Sequence, residues 1–599
     1  MRNVGNLVSE KLLPRTSRPV QYIGLETNRR CGGVEEAGAA VVLAFPDAYS
    51  IGISHLGSQV LYHMLNSTPG VACDRTYCPM PDAEAVMRAE GIPLFGWESR
   101  CAVSDFDIVG FSLPYELCAT NVLTMLDLAG VPVHAADRRE DDPIVVGGDA
   151  LADSPEPLAD FIDLFLVGDG EEPLAALVEL VREMKRSGAS RDEMILQAAR
   201  AIPAAYAPRF YEPRQIDRAP FLVPHRLRDD VPETIQRAHI ASLSDSPAIT
   251  APLVPIGEGV QERVVIEIMR GCPNGCRFCQ AGHTRLPVRW RSADEILDIA
   301  RKAVAATGFD EISLLSLSSS DYPQLDELID RLNAEFAGKH VSISLPSLRV
   351  DSQLKALPKL TSTVRKGGLT IAAEAGTERL RRAIRKNITE EDMLAGVRAA
   401  YEAGWRRVKV YFMAGLPGET DADIDAIFDL CRRLSETGRD ATGRPGSISA
   451  SVSWFVPKPH TPMQWCAMRD AEYFFEVRRH LRELSRRSPV NFKFHWIERS
   501  LLEGVIARGD RRVGETIEAA WRNGARMDSW NEHFDYAKWA AVFEQTHLDP
   551  ASIANVELPL DTPLPWSHIT GRRSEEFLRA EYQRMIEASE HQEHGKDDA

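Results

Sequence analysis

The sequence predicts a three-part α/β protein: an N-terminal doubly wound parallel sheet, a central partial (β/α)6 barrel and a mainly helical C-terminal accessory domain. Three observations predict it. Short apolar runs alternate with helix-like segments over 39–205 and again over 261–489, as in parallel sheets built from βαβ units. Residues 206–260, rich in Pro, Arg and Asp and without helical period, separate the two. Beyond 490 the pattern becomes helical and aromatic.

Residues 1–38 form an N-terminal extension whose first residues are too polar for a secretory signal. In the doubly wound domain, 39–205, strands are expected at 40–45, 108–112, 144–146 and 164–167, with helices at 58–65, 83–89, 121–129 and 173–184. Gly52, Gly110, Gly147, Gly148 and Gly168 stand at strand ends, where open sheets bind ligands and where glycine is also ordinary turn chemistry. The linker 206–260 admits a hairpin. Barrel strands follow at 264–269, 311–317, 341–345, 369–373, 408–413 and 448–455, and Ser292 with Glu295 predicts a capping box. An open barrel of six such strands places its active site at their carboxyl ends. Trp496, Trp521, Trp530, Phe534, Tyr536, Trp539, Phe543 and Trp566 suit a packed accessory core over 490–580, and the polar stretch 581–599 is expected to be a disordered tail.

Composition narrows the function classes. No apolar run approaches the ~18 residues of a membrane span, so no membrane partner and a cytoplasmic location are expected. A formal charge of −17 supplies no global field for nucleic acid. Ten cysteines in 599 residues argue against a disulfide framework and for a reducing compartment.

Three of those cysteines carry the most specific signal. Cys272, Cys276 and Cys279 form Cys-x3-Cys-x2-Cys after an apolar strand, with Phe278 before the last thiol. One tight loop can present three thiolates to an inorganic core and leave one metal position open. The alternative is a structural zinc ion with His283 as fourth ligand, although zinc loops usually come as paired Cys-x2-Cys knuckles.

The loop resembles the signature of radical S-adenosylmethionine (SAM) enzymes. The resemblance implies a [4Fe-4S] cluster on the three cysteines, SAM at its unique iron, a 5′-deoxyadenosyl radical, and an external electron donor of flavodoxin or ferredoxin type. It implies site residues at other strand ends. Glu374, in Ala-Ala-Glu374-Ala-Gly376, would meet the methionyl amine or ribose, unless it is simply a helix N-terminal carboxylate. Gly415 and Gly418, in Gly415-Leu-Pro-Gly418, are similar to the turn under the adenine in tRNA methylthiotransferases. Ser318 lies in a segment replacing the Gly-Gly-Glu of many relatives, and Arg349 is a candidate partner for the methionyl carboxylate. Lys458 and His460, in Pro-Lys458-Pro-His460-Thr-Pro462, are candidate catalytic groups facing substrate, or parts of an ordinary turn.

Asp47-Ala-Tyr49-Ser-Ile-Gly52 is similar to the Asp-x-His-x-x-Gly signature of cobalamin-binding domains, with Tyr49 where the cobalt-ligating His would stand. Cobalamin bound here would have no cobalt ligand from this motif, and His55 is off register. With Val109-Gly-Phe-Ser-Leu113, Leu166-Val-Gly-Asp-Gly-Glu171 and Ala507-Arg-Gly-Asp-Arg-Arg512, the chain resembles radical SAM proteins that carry an N-terminal Rossmann-like, cobalamin-binding-like domain.

Three functions stay open: cobalamin-linked methylation of an unactivated carbon by a radical SAM transferase; cobalamin-independent radical modification of tRNA or rRNA; and a non-catalytic iron-sulfur or zinc sensor. The second would use basic segments at Arg379, Arg381, Arg382, Arg385 and Lys386, and at Arg478, Arg479, Arg482, Arg486 and Arg487. The substrate and the oligomeric state are not legible.

Overall fold

The computed structural model describes residues 1–216, 219–257, 259–345 and 369–590. Its N-terminal sheet is built from β1 (Ala39–Phe45), β2 (Val71–Tyr77), β3 (Ile108–Ser112), β4 (Ile144–Gly148), β5 (Leu164–Leu166) and β6 (Ala205–Tyr206). The spatial order is 2-1-3-4-5-6, parallel except for the antiparallel edge pair β5–β6. Every residue of β1 is buried, which explains its unbroken apolar run: both faces of a central parallel strand lie under helices. The order reverses between β1 and β3, opening a crevice at their carboxyl ends.

The sequence did not reveal β2. Its Val-Ala-Cys-Asp-Arg-Thr-Tyr reads as polar because Asp74 and Arg75 are buried in a network instead of facing water. Arg75 pairs with Glu26 at 3.0 Å and Glu98 at 2.8 Å and donates to the Tyr77 hydroxyl. Glu26 comes from the N-terminal extension, so this cluster pins that extension to the sheet.

Across the linker, β7 (Tyr211–Gln215) and β8 (Leu222–Arg226) form the expected antiparallel hairpin. The barrel then starts with β9 (Val264–Glu267), β10 (Glu311–Leu315) and β11 (Ser342–Ser344), a parallel sheet with its own apolar core. A second parallel sheet follows: β12 (Leu369–Glu374), β13 (Arg407–Ala414), β14 (Ser447–Trp454) and β15 (Val490–Phe494). All six expected strands are present. β15 adds a seventh parallel strand where helix was expected, and β11 and β12 are not paired among the described residues. Ser292 caps the helix Ala293–Thr307 through the Glu295 amide, but the predicted capping box is incomplete because the Glu295 carboxylate turns to Arg291 and Ser244.

Helices fill most of the chain after β15. The tail expectation is corrected as far as residue 590: helix Glu575–Glu590 buries Leu578, Glu581, Tyr582 and Met585, an i, i+3, i+4, i+7 face that docks on helix Glu378–Ala383. Among the described residues no helix is long and apolar enough to cross a membrane.

Removing Arg75 while leaving its acids should show how much the buried cluster matters. Arg75→Met strands the Glu26 and Glu98 carboxylates together, which should cost about 3–5 kcal/mol, read as a lower denaturation midpoint that Glu98→Gln partly restores.

Candidate active site

Gly271 begins the cysteine loop at φ +83°, and a Cβ there would lie 2.8 Å from the Arg285 and Pro287 carbonyls, so glycine is required. Gly275, at φ +62°, turns the chain between the first two thiols. Cys272, Cys276 and Cys279 are all half-buried. Burial pushes the Cys276 thiol up to about 11, against the pull of Lys386, with the other two thiols raising it further. Cys279 shifts the same way. Cys276 and Cys279, which resist ionising alone, fit a polycationic core, which removes thiol protons as it binds. The Asn274 side-chain amide donates to Cys272 Sγ at 3.3 Å and to Asp321 at 2.8 Å, and lies 3.4 Å from Ser318. Ser318, itself buried, donates to Asp321 at 2.6 Å and lies beside the loop.

His283, the fourth ligand of the zinc alternative, is engaged at one ring nitrogen. Burial lowers the His283 pKa to about 4, so the ring is neutral, and its Nε2 donates to the Cys276 carbonyl at 3.2 Å. Among the described residues no three His, Cys, Asp or Glu side chains gather closely enough to hold a single ion.

Glu374 ends β12 at φ +67°, after a bulge, and pairs with Lys386 at 3.2 Å. Both charges act on Cys276 and Cys279. Lys386, read from sequence as part of a basic face, therefore belongs to the thiol site. Its neighbours are committed elsewhere: Arg379 pairs with Asp423, buried Arg381 holds the Ala375, Gly376 and Ile388 carbonyls, and Arg385 faces Glu581. Arg478, Arg479, Arg482 and Arg486 do line a shallow surface groove with Phe475.

Protein atoms pack against one side of the Gly415 turn. A Cβ on Gly415, at φ +92°, would meet the Phe474 ring at 2.7 Å, and one on Gly418 would meet Ser589 at 2.7 Å. Gly418 packs against the C-terminal helix. Glu419 accepts from the Gly415 amide at 2.6 Å and the Tyr473 hydroxyl at 2.5 Å, while burial pushes its carboxyl up to about 7. Arg349 lies outside the described residues.

A cavity of about 580 Å³ joins the N-terminal crevice to the cysteine loop. Gly110, Gly147, Gly148 and Gly168 line it, with Leu43, Phe111 and Leu174 among its apolar walls and Arg270, Gly271 and Arg285 on the barrel side. Tyr49 and Gly52 do not. Tyr49 is buried and donates to Glu26 at 2.8 Å, the partner a buried phenol needs, and a Cβ on Gly52 would strike Tyr77 at 2.5 Å. The cavity histidine is His55, whose Nδ1 bonds Ser58 at 2.8 Å and whose Nε2 lies 3.5 Å from Asp149. Asp149 stands at φ +76° and ψ −154°, a region open almost only to glycine. Burial alone would raise its carboxyl, but His55 and Arg285, the latter at 2.8 Å, hold it below the ordinary carboxylate range. Sequence reasoning missed Asp149; its signal was a charged residue directly after Gly147-Gly148.

Lys458 and His460 are corrected from catalytic candidates to interdomain pins. Lys458 Nζ reaches Glu116 at 2.5 Å and Glu503 at 2.7 Å; burial disfavours the ammonium, but the two carboxylates hold its pKa above the usual lysine value. His460, at φ +58°, donates through Nε2 to the Asp153 carbonyl at 2.8 Å. The Pro-rich segment therefore crosses to the N-terminal domain rather than facing the barrel mouth.

Residues 57–208 match the family of radical SAM proteins, N-terminal, and residues 266–431 match the radical SAM superfamily. An uncharacterized protein of Methanocaldococcus jannaschii is 25% identical over 483 residues, covering 80% of this chain and 90% of its own. The tRNA-2-methylthio-N(6)-dimethylallyladenosine synthase of Sorangium cellulosum is 27% identical over 230 residues, 33% of this chain and 42% of the synthase. Among solved structures, the radical S-adenosylmethionine methyltransferase TsrM from Kitasatospora setae, with cobalamin and [4Fe-4S] cluster bound, aligns with a TM-score of 0.48 at 15% identity, over 92% of this chain and 99% of that one.

Burial lowers the His460 pKa to about 4, with help from Arg237. An unfolded histidine titrates near ~6.5. Its neutral form thus favours the fold above pH 6.5, and that contribution is lost as pH falls toward 4, where both states are protonated. Denaturation at a series of pH values should show this loss, on the order of 3 kcal/mol, and His460→Gln should flatten the slope by about one proton.

Proposed function

We propose that this chain, a radical SAM protein by its N-terminal and core regions, is a transferase that methylates an unactivated carbon with the help of cobalamin. The observation that carries the proposal is the cavity running from the glycine-lined crevice to Gly271 and Ala281, which flank the three cysteines. Its volume lies within the ~300–1,000 Å³ of cofactor sites. When bound, the cluster and SAM supply one-electron cleavage of a sulfonium, and cobalamin supplies a methyl carrier.

The protein's own residues bind, orient and exclude water. Cys272, Cys276 and Cys279 give up their thiol protons to hold iron, and Asn274 steadies the first through its N–H···S bond. Glu374 and Lys386, already an ion pair beside the thiols, match the ammonium and carboxylate of a free amino acid, so the methionyl end of SAM can replace one zwitterionic contact by another. Gly110, Gly147 and Gly148 let a large ring lie close to the sheet, and the apolar walls keep the space dry. Asp149, His55 and Arg285 place the polar groups of the rim where the two domains meet.

A second function, radical modification of RNA without cobalamin, is favoured by the Arg478–Arg486 groove and its exposed Phe475. Salt-sensitive RNA binding that is lost on charge reversal of Arg478 and Arg482 would support it.

Anaerobic reconstitution discriminates among these. The protein should take up iron and sulfide, lose both on any Cys272, Cys276 or Cys279→Ala change, and release 5′-deoxyadenosine from SAM after reduction. Glu374→Gln and Lys386→Met should each weaken SAM binding about tenfold or more. Gly148 has room for a side chain, so Gly148→Leu should block cobalamin and spare the cluster. Protein that cleaves SAM but stays empty at saturating cobalamin would sink the methylase and leave the second function standing.

A further inference from the structure

The C-terminal helix Glu575–Glu590 carries a buried acid that faces the cysteine loop. Glu581, 3% exposed, accepts from Arg277 Nε at 3.1 Å, 304 residues earlier in the chain. Arg277 lies inside the loop, immediately after Cys276, and is itself buried. Its backbone amide donates to the Ile384 carbonyl at 3.0 Å and its Nη1 to the Ala383 carbonyl at 2.6 Å. A second guanidinium, Arg385, reaches the same Glu581 oxygen at 3.5 Å. Arg385 also leans on the other side of the turn, its Nη1 being 3.5 Å from the point where a Gly275 Cβ would stand. Arg584 binds the remaining Glu581 oxygen. One carboxylate thus gathers cations from both flanks of Cys276. The helix is held in place from the other end by Arg379, which bonds the carbonyls of Ser589 and Gly418.

We propose that Glu581 is a positioning residue for the cluster: through Arg277 and Arg385 it fixes the Gly275–Arg277 turn and so the place of Cys276. The proposal rests on the reading that Cys272, Cys276 and Cys279 hold an iron-sulfur cluster. The physical ground is that Arg277 is buried and cannot be left alone. Without Glu581 its charge is uncompensated in a low-dielectric site, two guanidiniums face each other across the turn, and the turn relaxes outward to hydrate them. The carboxylate also offsets positive charge close to the cluster, which bears on the reduction potential.

Two variants of the full-length chain separate position from charge. Reconstituted Glu581→Ala should release iron to a ferrous chelator about tenfold faster than wild type, at temperatures well below its own thermal midpoint, where the chain stays folded. Glu581→Gln keeps an acceptor for Arg277, so it should retain iron, but its cluster should show an upward shift of midpoint potential and altered g-values in the reduced state. In the metal-free chain, Glu581→Ala should speed N-ethylmaleimide labelling of Cys276 about tenfold through local opening of the loop. Wild-type iron release, potential and labelling in both variants would overturn the proposal, as would iron loss that merely tracks global unfolding while Glu581→Gln keeps the wild-type potential. A wild-type chain that takes up no iron, while Glu581→Ala still exposes Cys276, would sink the cluster reading and leave the positioning role intact.

Discussion

The arrangement depends on three arginines that flank the cysteine loop and end on acids of the other domain. Arg270, two residues before Cys272, pairs with Asp169 at 3.2 Å and Glu171 at 2.8 Å; Arg289 pairs with Asp169 at 2.5 Å; Arg285 pairs with Asp149. All three acids follow strands of the N-terminal sheet, at the carboxyl ends where its crevice opens. These pairs hold the crevice directly against the loop, beside the interdomain contacts of Lys458 and His460. Because the pairs are largely buried, each must be matched in geometry, and a docking slip of even one residue would strand several charges at once. The same clamp explains the strained backbone of Asp149, which must point its carboxylate out of the sheet toward Arg285 and His55 together.

Docking also divides the labour between the two halves of the barrel. The first three strands, β9 to β11, carry the cysteine loop and pack around a small core of their own. The four strands β12 to β15 share one continuous core with the N-terminal and C-terminal domains. The loop therefore sits on the lighter half and is braced from the heavier one: by Glu374 and Lys386 after β12, and by Arg277, whose main chain and side chain both bind the Ala383–Ile384 carbonyls.

What the sequence made legible follows from how local each signal is. The cysteine spacing, the glycines at strand ends and the apolar runs of β1, β3, β4 and β9 are all contained within a few residues, and they were readable. β2 was hidden because its charges are satisfied by Glu26 and Glu98, far away in sequence. Tyr49 was given to a cofactor because its motif position is local, whereas its partner Glu26 is not. β15 alternates Val-Asn-Phe-Lys-Phe in the period of a strand, but a helical aromatic context concealed it. The polar composition of 581–590 suggested a tail, yet Leu578, Tyr582 and Met585 share one helix face with Glu581, and that face has a partner only in three dimensions.

Lys458 and His460 teach the converse. A run such as Pro-Lys-Pro-His-Thr-Pro is too patterned for a loose connection, and chemistry is the tempting explanation. A buried ammonium between two carboxylates and a neutral imidazole on a carbonyl serve a different need: they make one docking geometry satisfiable and its neighbours costly. An apolar contact of the same area would bind as well but tolerate sliding. The cavity between the domains has walls from both, and a sliding interface would change its shape. Conspicuous polar residues outside the cavity therefore contribute by fixing its dimensions, while the Glu374–Lys386 pair stands beside the cysteine loop.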